Sequence, residues 1–74
     1  MIPPPPAAWP GLDGNAVGCR EKIKVLNENY RELADVLRDA FEDAVLMGVP
    51  EDAMREIMAG MVRGVDSPKR AGGG

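Results

Sequence analysis

The 74-residue sequence has no histidine, one cysteine and three aromatic residues, Trp9, Tyr30 and Phe41. Without histidine the common zinc patterns cannot form, and acid–base work would fall to carboxylates, lysine, Tyr30 or Cys19. A single cysteine excludes an intramolecular disulfide. An excess of positive charge is lacking too: nine basic residues against twelve acidic ones leave a formal charge of −3. That balance gives no electrostatic reason to expect nucleic acid or an anionic membrane as a partner. No apolar run approaches the ~20 residues that cross a bilayer. Met1-Ile2 followed by four prolines has neither the basic nor the apolar region of a secretion signal. A cytoplasmic protein with no membrane partner is therefore expected, and an unpaired cysteine agrees with it.

What is present centres on residues 23–47. Ile23, Leu26, Tyr30, Leu33, Leu37, Ala40, Ala44 and Met47 recur in steps of three and four. That spacing lines one side of an α-helix, as in the seam of a coiled coil. Val36, Phe41 and Val45 widen the apolar side in its second half, which calls for more than one partner surface there. Lys24, Glu28, Arg31, Glu32, Asp35, Arg38, Asp39 and Glu42 occupy the outer side and read as a solvated face.

The helix is predicted over residues 20–47, with Asn15 or Gly18 as cap and Glu21 suited to the positive end of the dipole. Gly48 supplies a left-handed stop, and Pro50 bars Val49 from helical geometry. A second helix over residues 51–63 then opens with Pro50 in its first turn, followed by Glu51 and Asp52. A linker this short makes an αα-hairpin, so the second helix folds back on the first. It can cover only the C-terminal half of the long helix, and residues 23–33 are expected to remain bare within one chain. The fold class is all-α: a helical hairpin over residues 19–65, with an extended proline-rich arm over 1–18 and a flexible tail over 66–74.

In the arm, Pro3 to Pro6 favour a polyproline II rod, and Trp9-Pro10-Gly11 a turn. Such a segment either stays disordered or lies across a partner with Ile2, Trp9 and Leu12 as anchors, since proline rods lose little entropy on docking.

Few constellations carry chemistry. The carboxylates of the long helix alternate with Arg31 and Arg38 at ion-pair spacing, and nothing would bury them as a catalytic pair requires. No enzyme activity, cofactor or metal is expected. Cys19 falls at a helix start beside Arg20 and Lys22, a setting that lowers a thiol pKa and makes it a candidate reactive thiol. Met47, Met54, Met58 and Met61 gather round the hairpin, where adaptable methionines suit either helix packing or a binding groove. The run Ala44-Val45-Leu46-Met47-Gly48-Val49, with Met54 and Ile57, resembles the helix-turn-helix pattern, which would imply DNA binding. Against that stand the length of the preceding helix and the acidic opening of the second. The terminal Gly72-Gly73-Gly74 resembles the diglycine end of ubiquitin-like modifiers, but those are built on strands, and no strand pattern exists here.

About forty-five foldable residues are near the size at which a lone core becomes marginal. With disulfide and metal excluded, association remains as a source of stability. The expected protein is a non-catalytic accessory or adaptor subunit that binds a larger protein or a copy of itself. Its interface residues would be Trp9, Ile23, Leu26, Tyr30, Leu33, Leu37, Met54, Met58 and Met61. A small subunit of a bacterial complex and a phage component both fit. The alternatives are a helix-turn-helix-like DNA-binding regulator using the Gly48 turn and a thiol-dependent carrier using Cys19.

Overall fold

No glycine or proline interrupts the chain between Gly18 and Gly48, and an apolar rhythm of three and four runs through that interval. It forms one unbroken helix, α1 (Arg20–Leu46). A second helix, α2 (Glu51–Arg63), completes the regular structure of the computed structural model, which describes residues 1–69. The fold is an all-α helical hairpin. The chain forms two compact units, Met1–Asp39 and Ala40–Gly74, and α1 runs through both.

Unit one consists of the N-terminal segment and most of α1. Its first helical bond runs from the Ile23 N–H to the Cys19 carbonyl, 3.0 Å, so Cys19 takes the cap position expected for Asn15 or Gly18. Those two residues belong instead to the approach. The Trp9 carbonyl accepts from the Val17 N–H at 2.8 Å, and the Gly11 N–H donates to the Asn15 carbonyl at 2.8 Å. These bonds close residues 9–17 into a tight loop with a bridge between Pro10 and Ala16. Two glycines make it feasible. Gly14 has φ +87°, and a Cβ on Gly11 would lie 2.6 Å from the Asn15 carbonyl oxygen. The Asp13 carboxylate accepts from the Asn15 N–H at 3.0 Å, an Asx turn that stiffens the tip.

Unit two is the hairpin proper. Helix α1 ends in a complete Schellman motif, in which Gly48 N–H bonds the Val45 carbonyl (3.1 Å) and Val49 N–H the Ala44 carbonyl (2.9 Å). Gly48 has φ +104°, a left-handed conformation that costs other residues free energy. Val49 and Ala44, the pair whose apolar contact usually accompanies this motif, are both half-buried. Pro50 follows at the cap of α2, one position earlier than its expected place inside the first turn, and its carbonyl accepts from the Met54 N–H at 3.0 Å. The Arg55 guanidinium lies 4.8 Å from the centre of the Phe41 ring and also reaches Glu51 at 3.4 Å. One cation thereby ties α2 to the end of α1.

Among the described residues no side chain is buried in either unit. The half-buried residues are Pro5, Trp9, Gly11 and Val17 before α1 and Ile23, Leu26, Asn27, Tyr30, Ala34 and Leu37 on it in unit one, and Phe41, Ala44, Val45, Val49, Met54, Met58 and Ala59 in unit two. Residues 70–74, which include Gly72-Gly73-Gly74 and the end of the predicted flexible tail, lie outside the described residues.

Candidate interaction surface

A run of prolines has no N–H groups to give, so its carbonyls can only be met by donors from elsewhere. Here Tyr30 provides one: its hydroxyl donates to the Pro3 carbonyl at 2.7 Å. Trp9 has the opposite need, since a shielded indole N–H requires an acceptor. It donates to Asn27 Oδ1 at 2.8 Å. The two aromatic rings meet edge to face, with centroids 6.3 Å apart and planes at 73°. The closed loop of residues 9–17 turns the chain back so that these groups arrive on α1. The first turns of α1 are therefore not bare, as expected from the sequence, but are covered by the protein's own arm.

That arm changes which side of α1 is shielded. A seam of Ile23, Leu26, Tyr30, Leu33, Leu37, Ala40, Ala44 and Met47 was expected, and its members divide. Ile23, Leu26, Tyr30, Leu37 and Ala44 are half-buried, whereas Leu33 is 63% and Met47 84% exposed, and Ala40 is exposed as well. Ala34 and Phe41, each one residue beyond the exposed Leu33 and Ala40, are shielded, and Asn27 is shielded beside Leu26. The covered row is thus rotated part of a turn from the predicted one. The cause in unit one is polar: Asn27 holds the acceptor that Trp9 needs.

Of the other residues predicted to lie at an interface, Trp9, Met54 and Met58 are half-buried, and Met61 is 68% exposed. Of the proposed arm anchors, Leu12 is 92% exposed at the loop tip, while Ile2 is far less so. Large apolar side chains stand in water in both units: Val25, Leu33 and Val36 in the first, and Leu46, Met47, Ile57, Met61, Val62 and Val65 in the second. In unit one a shallow cleft lined by Val17, Val25 and Leu26, with Glu21 and Lys22 at its margin, adjoins Val25. A similar cleft in unit two is lined by Phe41, Val45 and Leu46, with Glu42 and Glu51 at its margin.

Cys19 is exposed, and the Lys22 backbone N–H holds its thiol below the ordinary value. Partial desolvation opposes that pull, while the Glu21 N–H and the Lys22 charge reinforce it. A helix start, where backbone N–H groups are unpaired, favours a thiolate in this way. Among the described residues no group of three His, Cys, Asp or Glu is placed to hold a metal ion. No helix among them is long and apolar enough to cross a membrane.

Asn27, Pro3 and Val25 are the members of these surfaces that periodicity alone misses. Asn27 and Pro3 pair with partners 18 and 27 residues away, a separation that leaves no local pattern. Val25 lies beside the charged outer face and is visible only once that face is divided into rows, whereas Val36 was read as widening the apolar side and is 65% exposed. No protein-family model, curated protein or solved structure matches the chain.

Proposed function

We propose that this protein is a small non-catalytic accessory or adaptor subunit, which acts by occupying or stabilising a surface of a larger protein or of a second copy. One observation carries the reading. Among the described residues none is buried, while apolar side chains as large as leucine, isoleucine and methionine remain exposed in both units. Burial of apolar area is the main favourable term in folding, worth about 25 cal/mol per Å². A chain of this size that seals nothing holds its helices with little to spare, and a partner surface supplies the missing half of the interior. The carboxylates of α1 are exposed and one of them, Asp35, is paired with Arg38 at 3.0 Å, which suits a solvated ion-pair face better than acid–base chemistry. Glu51 and Asp52 open α2 where a recognition helix would meet phosphates, which weighs against DNA as the partner.

Absolute molar mass by light scattering, read with far-ultraviolet circular dichroism, tests this. A helical oligomer, or a monomer whose helicity is partial at micromolar concentration, is expected. A monomer with full helicity and a cooperative, high-temperature unfolding transition would overturn the reading.

A further inference from the structure

Placing the residues of α1 at about 100° per residue sorts them into four rows. The first, around Ile23, Tyr30 and Leu37, is the half-buried row in unit one, on which Tyr30 meets the arm. Next comes a basic row containing Lys24, Arg31 and Arg38, then an acidic row containing Glu28, Glu32 and Asp39. The fourth row, between the acidic one and the covered one, is open and mostly aliphatic: Val25 is 52%, Leu33 63% and Val36 65% exposed, with Asn29, also exposed, between them. From Val25 to Val36 it extends about 16 Å along the helix, three turns. Lys22 stands at its N-terminal end, where the row opens into the cleft lined by Val17, Val25 and Leu26.

We infer that this row in unit one docks a single foreign helix whose own apolar stripe is edged by lysine or arginine. The inference rests on the accessory-subunit reading and commits it to one kind of partner. Val25, Leu33 and Val36, anchors spread over three turns with Asn29 as the one polar residue between them, fit the helix-in-groove mode of recognition. Charge decides what flanks those anchors. One margin of the row is acidic along its length, and among the described residues Glu28, Glu32 and Asp39 form no ion pair. Asp35, at the far side of the acidic row, is already held by Arg38.

A second copy fits poorly. Two α1 helices packed antiparallel on this row through a two-fold axis bring acidic margin against acidic margin, and like charges so placed repel. Packed parallel, each acidic margin faces the other copy's Leu26 and Leu37 side, where carboxylates would lose water without gaining a partner. A partner edged by cations meets neither cost.

The test uses the full chain and two fluorescent 18-residue helical peptides with the same leucine stripe, one edged by lysine and the other by glutamate. Binding is followed by anisotropy. The lysine-edged peptide is expected to bind roughly tenfold more tightly, three rim ion pairs being worth about that together, and the ratio should fall toward one at high salt. In Glu28→Lys/Glu32→Lys the preference should reverse, and in Leu33→Ser/Val36→Ser both peptides should lose affinity. Circular dichroism confirms that each variant retains the helicity of the parent. Equal affinity for the two peptides, no binding of either, or a preference unchanged by the reversal overturns the inference. A dimer abolished by Leu33→Ser/Val36→Ser overturns it in favour of a second copy while leaving the accessory-subunit reading intact.

Discussion

Trp9 is the chain's single tryptophan, so its fluorescence reports on the arm with no background. Two hydrogen bonds and one aromatic contact hold that arm to α1, and removing both bonds together should release it measurably. Tyr30→Phe deletes the hydroxyl that meets the Pro3 carbonyl but keeps the ring beside Trp9. Asn27→Ala deletes the acceptor of the indole N–H. The Tyr30 bond is exposed and the Asn27 bond partly buried, so about 0.5 and about 1 kcal/mol are reasonable values. Their sum, ~1.5 kcal/mol, shifts the docking equilibrium roughly tenfold toward the free arm. In acrylamide quenching, the double variant should approach the quenching constant of a free tryptophan peptide, with each single variant between it and the parent. The emission maximum should move to longer wavelength in the same order. Helicity should change little, since α1 retains its own backbone bonds. If the double variant quenches as the parent does, the arm is not held by these contacts and the account of the covered row is wrong.

Two further outcomes test the local structure. Gly48→Ala places a Cβ at φ +104° and should cost about 1–2 kcal/mol in urea unfolding followed by circular dichroism, with Gly48→Asn costing less; an unchanged midpoint for the alanine variant contradicts the Schellman turn. Asp13 is held below its ordinary value of 3.8, chiefly by the Asn15 backbone N–H and secondarily by the Asn15 side chain. A depressed carboxylate pKa stabilises the closed loop above the unfolded value and loses that contribution as pH falls through the folded one. The Asp13 carboxyl resonance and the Asn15 amide should therefore titrate together with a midpoint below pH 3.8; a midpoint at or above that value removes the Asx turn.

The hairpin was legible because its signals are local. Twenty-nine residues without glycine or proline, and then Gly48-Val49-Pro50, placed the end of α1 within one residue of Leu46 and the whole of α2 at Glu51–Arg63. The start of α1 was legible as a position, Arg20, but not as a cap, because Asn15 and Asp13 have the right chemistry for a helix cap and use it in a loop instead. The covered row was less accessible still. Periodicity favours Leu33 over Ala34 and gives no reason to add Asn27 beside Leu26, and only the indole N–H of Trp9, 18 residues before Asn27, explains why the polar residue lies under the arm. A proline-rich leader reads as disordered by composition, yet its carbonyls are acceptors waiting for a donor, and Tyr30 is the donor. Charge segregation on α1 was present in the sequence throughout, but treating every ionised residue as part of one solvated face concealed it.

That no described side chain is sealed from water has a consequence for turnover. Cleavage by proteases tracks the population of opened chain when opening and closing are fast, and a protein without a sealed interior opens often. A partner at a hundred times its Kd would lower that population by about 2.7 kcal/mol, close to a hundredfold. Under the accessory-subunit proposal, the lifetime of the chain would be set by whether its surface is taken, and copies made in excess of the partner would be removed until the two stand in proportion.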